Sequence, residues 1–465
     1  MRTLLIVTFA LLFSFTLFAQ DIRGQWNGIL KVQGTELRLV FNIAKTDDGY
    51  TSTMDSPNQG AMGISVTKTT FDNPKIKFEV SNIRMEYVGE LIGGEIIGTF
   101  KQGGLEFPMN LSRNATEKKA VKRPQEPTKP YPYYSEDVTF DNARAKISLA
   151  GTLTLPSKEG KYPVVILISG SGPQNRDEEL LGHKPFLVIS DYLTRNGIGV
   201  LRYDDRGVGE SKGDFSAATS ADFATDVESA IAYLKTRKDI NTKKIGLIGH
   251  SEGGLIAPIV ASRSKDVNFI VMLAGTGIRG DKLLLMQQEL ISKVIGVSDE
   301  DIKKMIETNG KVFEIVLKSK DYQKLKTDVK KILSDVIEND PTTETPNGMT
   351  KEDYIDVQVE QITSPWMQYF IKYDPAPTLR KVKCPVLAIN GKKDLQVPSK
   401  ENLEGIKTAL AKGGNNRVTT IEFENLNHLF QESETGAPAE YATIEQTFSP
   451  MALEAITMWI IEQIK

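Results

Sequence analysis

Five short runs between residues 164 and 389 are apolar, with Arg202 their one charged residue, and rich in β-branched residues. They are Val164 to Ile168, Gly199 to Tyr203, Ile245 to Ile248, Phe269 to Leu273 and Val386 to Ile389. A strand with one wet face alternates apolar and polar residues, whereas a continuous apolar run belongs to a strand covered on both faces of a parallel sheet. Helical periodicity lies between the runs, as in Ala221 to Lys235 with Phe223, Val227, Ile231 and Leu234 on one face. Strands alternating with helices predict a doubly wound α/β domain from about residue 135 to 465. The rhythm breaks between about Thr276 and Asp374. There Leu284, Leu285, Ile291, Ile315, Val329, Ile332 and Val336 recur at helical spacings among many charges, which predicts a helical cap inserted in the sheet rather than a loop.

Residues 20–115 read differently. Leu37 to Ile43, Lys75 to Val80, Met85 to Leu91 and Glu95 to Phe100 alternate apolar with polar residues between turn signals such as Asp47-Asp48-Gly49, Gly93-Gly94 and Gly103-Gly104. This predicts a small antiparallel barrel or sandwich, read as an accessory domain, and Gly24-Gln25-Trp26 resembles the opening of lipocalin-like barrels. Residues 116–134 hold Pro124, Pro127, Pro130 and Pro132 among basic residues and tyrosines, the composition of a semi-rigid spacer. At the N-terminus, Arg2, an apolar stretch from Leu4 to Phe18, and Ala19 before Gln20-Asp21 form the pattern of a cleaved export signal, residues 1–19. The stretch is shorter than a membrane span requires. The expectation is a periplasmic or secreted protein without stable membrane insertion.

Composition narrows the chemistry. With 57 Lys and Arg against 60 Asp and Glu, the chain is not built to neutralise phosphates, and no nucleic-acid partner is expected. A single cysteine excludes an intramolecular disulfide, and three histidines whose spacing matches no metal motif lead to no expected metal or cofactor.

Gly249-His250-Ser251-Glu252-Gly253 is a G-x-S-x-G sequence set between a buried strand and a helix beginning Gly254-Leu255-Ile256, the setting of a nucleophile elbow. A serine hydroxyl needs a general base. His250 lies inside the elbow and points the wrong way, and His183 precedes the serine, which leaves His428 in Asn427-His428-Leu429. The third member, which orients the imidazole, is Asp394 in Asn390-Gly391-Lys392-Lys393-Asp394, just past a buried strand. Oxyanion donors are expected from the N–H groups of Glu252 and of Ser171, the latter in the glycine-rich loop Ser169-Gly170-Ser171-Gly172. Asn175, Arg176, Asp177 and His183 could edge the pocket, whereas Asp205 and Arg206 read as structural.

GHSEGG around Ser251, GSGP at Gly170 to Pro173, YDDRGVGES from Tyr203 to Ser211, NGKKDLQVP and LNHLF together resemble the bacterial serine α/β-hydrolases. The nearest groups are exported carboxylesterases related to serine aminopeptidase-like and dienelactone hydrolase-like enzymes. The resemblance covers about residues 135 to 465 and implies cofactor-free hydrolysis of a small-molecule carboxylic ester. The usual histidine-glycine before the oxyanion residue is Ser169-Gly170 here, and dienelactone hydrolases use cysteine where this chain has Ser251. A peptidase on the same triad and a non-enzymatic binding protein are the alternatives. The cap is expected to roof the site, with the aromatics of Pro365-Trp366-Met367-Gln368-Tyr369-Phe370 either supplying an acyl pocket or gluing the cap to the sheet.

Overall fold

The computed structural model describes residues 21–32, 35–46, 49–57, 61–81, 85–102, 105–114, 123–339 and 350–465. The expected export signal, the turn residues Asp47-Asp48 and Gly103-Gly104, and the basic pair Lys118-Lys119 lie outside them.

The first domain is built from β1 (Gly24–Val32), β2 (Thr35–Thr46), β3 (Gly49–Ser56), β4 (Ala61–Ser65), β5 (Lys68–Asp72), β6 (Lys75–Val80), β7 (Met85–Ile92), β8 (Glu95–Gln102), β9 (Leu105–Pro108) and β10 (Leu111–Ser112). All pairings are antiparallel. Because β10 bonds to both β1 and β8, the path β10-β1-β2-β3-β5-β6-β7-β8 closes into an eight-strand barrel, with β4 and β9 as outlying additions. Alternation drives the closure: on β7, Met85, Tyr87, Gly89 and Leu91 turn inward while Val88, Glu90 and Ile92 face out. Phe41 stacks on Phe78 at 4.4 Å, and Tyr87 and Trp26 complete a filled interior.

Residues 123–133 are strapped to the second domain rather than spanning free space. Arg123 donates to the main-chain oxygens of Leu181, Gly182, Ala442 and Ile444, and Gln125 bridges to Thr447 and Phe448.

The second domain holds β11 (Tyr134–Asn142), β12 (Ile147–Leu155), β13 (Tyr162–Ile168), β14 (Gly199–Tyr203), β15 (Ile240–His250), β16 (Phe269–Leu273), β17 (Val386–Gly391) and β18 (Val418–Phe423). They form one sheet in the order β11-β12-β14-β13-β15-β16-β17-β18. Only the edge hairpin β11-β12 runs antiparallel to its neighbours. The five apolar runs are its inner strands, and β14, β16 and β17 are buried at every position. Helices α1 (Pro185–Arg195), α2 (Ser220–Thr236) and α3 (Glu252–Ala261) bury one face each or, for α3, every residue.

Between β16 and β17 the described residues are helical: α4 (Gly280–Val294), α5 (Asp299–Lys318), α6 (Tyr322–Asn339), α7 (Lys351–Ile362), α8 (Pro365–Lys372) and α9 (Pro375–Leu379). They enclose their own small core of Val312, Phe313, Val316, Leu325, Val329, Ile355, Val359 and Ile371. Val336 departs from the expected apolar face and is exposed. The fold ends with α10 (Ser399–Lys412) and α11 (Pro450–Ile464). Among the described residues, no helix is long and apolar enough to cross a membrane.

Candidate active site

Ser251 stands between the end of β15 and the start of α3, with φ +52° and ψ −111°. Non-glycine residues hold such a backbone only where the surroundings impose it. The surroundings do so here. A Cβ at position 249 would lie 2.0 Å from the Gly253 oxygen, and one at 253 would lie 2.1 Å from the Ile168 oxygen. Only glycines let the turn close this tightly against β13. The Ser251 N–H donates to Leu273 O at 2.8 Å, which pins the turn to β16 as well.

Asp394 lies just past the end of β17. Its Oδ1 accepts the N–H groups of Gln396 and Val397, both at 2.8 Å. This fixes the carboxylate so that Oδ2 accepts from His428 Nδ1 at 2.8 Å. His428 sits in the loop after β18, which Asn427 shapes by accepting the N–H groups of Leu429 and Gln431 on its own side chain. Asp394 and His428 are buried, and Ser251 and His428 line the same cavity of about 90 Å³.

The oxyanion loop is held from below. Ser169 Oγ donates to Asp205 Oδ1 at 2.7 Å, and the Gln174 N–H donates to Asp205 Oδ2 at 3.0 Å. Burial drives the Asp205 carboxyl pKa well up despite these two donors. The Gly170 N–H is committed to Glu178 Oε1 at 2.7 Å, so Gly170 cannot also serve an oxyanion. Ser171 borders the cavity and Glu252 opens α3. The Glu252 side chain turns away from any such role. It is buried, accepts from Ser220 Oγ at 2.6 Å and Trp366 Nε1 at 2.8 Å, and burial raises its pKa.

That last bond gives the cap aromatics a packing role. Trp366 and Phe370 are not among the cavity residues; they stack on each other at 5.2 Å and fasten α8 to the elbow through Glu252. The cap reaches the cavity's edge through Gln287, whose side chain meets that of Gln396 at 3.4 Å. Asn175, Arg176 and Asp177 also stay out of the cavity: Asn175 caps its own turn, Arg176 pairs with Asp204, and Asp177 contacts Arg202. Asp205 and Arg206 are structural, Arg206 through Asp226 at 2.8 Å. His183 does line the cavity, between Thr447 Oγ1 and Tyr441 O, and burial lowers its pKa to about 4.

Two neighbours escaped the sequence reading. His250 was set aside as pointing the wrong way, yet its ring forms part of the cavity wall, with Nδ1 2.9 Å from Glu178 Oε1 and Nε2 3.0 Å from His428 O. Glu178 was not considered. Its positive φ of +50° is invisible in the sequence, and its partner lies 72 residues away.

Residues 227–433, which contain Ser251, Asp394 and His428, match the BAAT / acyl-CoA thioester hydrolase C-terminal family. Esterase EstD of Thermotoga maritima is 26% identical over 333 residues, 71% of this chain and 70% of that protein. The second domain has the α/β-hydrolase fold. A putative carboxymethylenebutenolidase of Synechocystis is 31% identical to this chain over 131 residues, 27% of the chain and 52% of the relative. Among solved structures, the Pyrococcus furiosus esterase Pf2001 aligns at 16% identity with a TM-score of 0.45, covering 75% of this chain and 99% of that one. Est1E of Butyrivibrio proteoclasticus aligns at 19% with a TM-score of 0.39, covering 70% and 99%.

Proposed function

We propose that the protein is a serine esterase cleaving small carboxylic esters through an acyl-enzyme intermediate. The observation that carries this reading is the buried Asp394–His428 contact opening on the cavity that also presents Ser251 in a strained turn. In this mechanism Ser251 Oγ attacks the acyl carbonyl while His428 Nε2 takes its proton. Asp394 holds the Nδ1 proton in place and stabilises the imidazolium. The N–H groups of Ser171 and Glu252 receive the oxyanion. His428 then returns the proton to the leaving alcohol, and water repeats the sequence on the acyl-enzyme.

The cavity, about 90 Å³, is far smaller than the roughly 300–1,000 Å³ of pockets for drug-sized ligands. This supports a short acyl group. An aminopeptidase needs a free anion to hold the substrate's amine, and the carboxylate bordering the cavity, Glu178, is already engaged by Gly170 and His250. The relatives' description as esterases accords with this choice, and the thioester hydrolase family adds thioesters to the substrates worth assaying. We also propose export, on the N-terminal pattern alone.

The test is a panel of nitrophenyl acetate, butyrate and octanoate, an acetyl thioester, and aminoacyl nitroanilides. The expected result is turnover highest for acetate or butyrate and absent for the nitroanilides. Preference for the nitroanilides would overturn the assignment.

A further inference from the structure

His250 and Glu178 tie three loops together at the site. His250 Nε2 faces the main-chain oxygen of His428 at 3.0 Å. A carbonyl can only accept, so Nε2 carries a proton. Nδ1 faces Glu178 Oε1 at 2.9 Å, and that oxygen also accepts the Gly170 N–H at 2.7 Å. Oε1 is thus already an acceptor for one N–H, and an ionised carboxylate offers Nδ1 only lone pairs. Both ring nitrogens therefore point at acceptors.

We propose that His250 is a buried imidazolium paired with Glu178, and that the pair is a positioning device for catalysis. It sets the backbone of His428 and of Gly170 relative to Ser251. This rests on the reading of Ser251, Asp394 and His428 as the catalytic triad. Through Glu178 the pair fixes the loop that presents Ser171, and through His250 it fixes the loop that presents His428. The elbow residue next to the nucleophile is thus the hub joining the oxyanion loop to the base.

The surroundings support it. Both side chains are buried, and Glu178 is held at φ +50°, a conformation that persists only where several contacts demand it. The titratable groups facing the ring are Glu178 from the loop after β13, Asp394 from the loop after β17 and His428 from the loop after β18. Burial alone would push the His250 proton off, but the charge and hydrogen bond of Glu178, with the His428 carbonyl and the Asp394 charge, together raise the pKa. The two imidazole rings lie 4.9 Å apart.

The chain's three histidines make the experiment direct. In full-length protein labelled with ¹⁵N-histidine, one ring should show both nitrogens protonated at neutral pH, and His250→Asn should remove that signal. Glu178→Gln should lower kcat on nitrophenyl acetate by about 10²-fold with KM little changed, as expected for a misplaced reacting group. It should also move the acidic limb of the pH profile. The double variant Glu178→Gln/His250→Asn should lose no more than the worse single variant, because the two act as a unit. A His250 ring carrying one proton at neutral pH, or additive losses, would overturn the proposal. If Ser251→Ala kept its activity, the triad reading would fail while the charge state of His250 was still decided by its own spectrum.

Discussion

Asp394→Asn is the most informative conservative change, because the structure dictates which way the new amide must turn. Oδ1 accepts two main-chain N–H groups at 2.8 Å, from Gln396 and Val397. An amide nitrogen placed there would set donors against donors, so the oxygen of Asn must keep that position. Its NH₂ then occupies the place of Oδ2, 2.8 Å from His428 Nδ1. It can only donate, which forces the Nδ1 lone pair toward it and the ring proton onto Nε2. His428 then presents a proton to Ser251 instead of a lone pair. With the wrong tautomer the expected loss in kcat is about 10⁴-fold, or roughly 5.5 kcal/mol of barrier at 1.36 kcal/mol per decade. The two loop hydrogen bonds survive, so the melting temperature should stay within about 5 °C of the parent. The assay is nitrophenyl acetate hydrolysis at pH 8 beside a thermal melt. A loss below tenfold in a folded variant would refute the role given to Asp394.

Trp366→Phe removes the donor to Glu252 Oε1 and leaves a buried carboxyl with Ser220 alone, which should cost about 1–3 kcal/mol in denaturant unfolding. The acyl-length ranking should not change, whereas a shift toward longer chains would restore Trp366 to the pocket. His183, whose pKa is lowered to about 4 by burial, is neutral in the folded state while an unfolded histidine protonates near 6.5. Its contribution of about 3 kcal/mol is therefore complete above pH 6.5 and lost as pH falls toward 4; His183→Asn should flatten stability across that window, and an unchanged pH dependence would contradict this. For export, mass spectrometry of the protein from its native host should find a chain beginning at Gln20 or Asp21, and an intact Met1 would contradict it.

What the sequence made legible was what short stretches encode by themselves. A five-residue apolar run reveals a doubly covered strand, and Gly249 and Gly253 reveal a turn that no larger residue could make. The order Ser251, Asp394, His428 is likewise plain once each is placed at a strand end. The edge hairpin β11-β12 was not singled out, because its alternating half-buried pattern on β11 resembles that of the preceding barrel. The role of Trp366 stayed open for a related reason: whether an aromatic on a cap helix faces a cavity or a carboxyl depends on how the helix crosses the core. Glu178 and His250 meet only through the fold. A histidine beside the nucleophile looks spare until the carbonyl of His428 and the carboxylate of a distant loop arrive on its two sides.

The central claim is that Ser251 is the nucleophile. Intact-mass and peptide analysis after treatment with a fluorophosphonate measures it most directly. The account predicts one adduct per chain, on the peptide containing Ser251, with loss of esterase activity in step with labelling. Ser251→Ala should take no label and lose activity on the order of 10⁴-fold or more while melting like the parent. Labelling at another residue, or turnover retained by the purified Ser251→Ala protein, would contradict it.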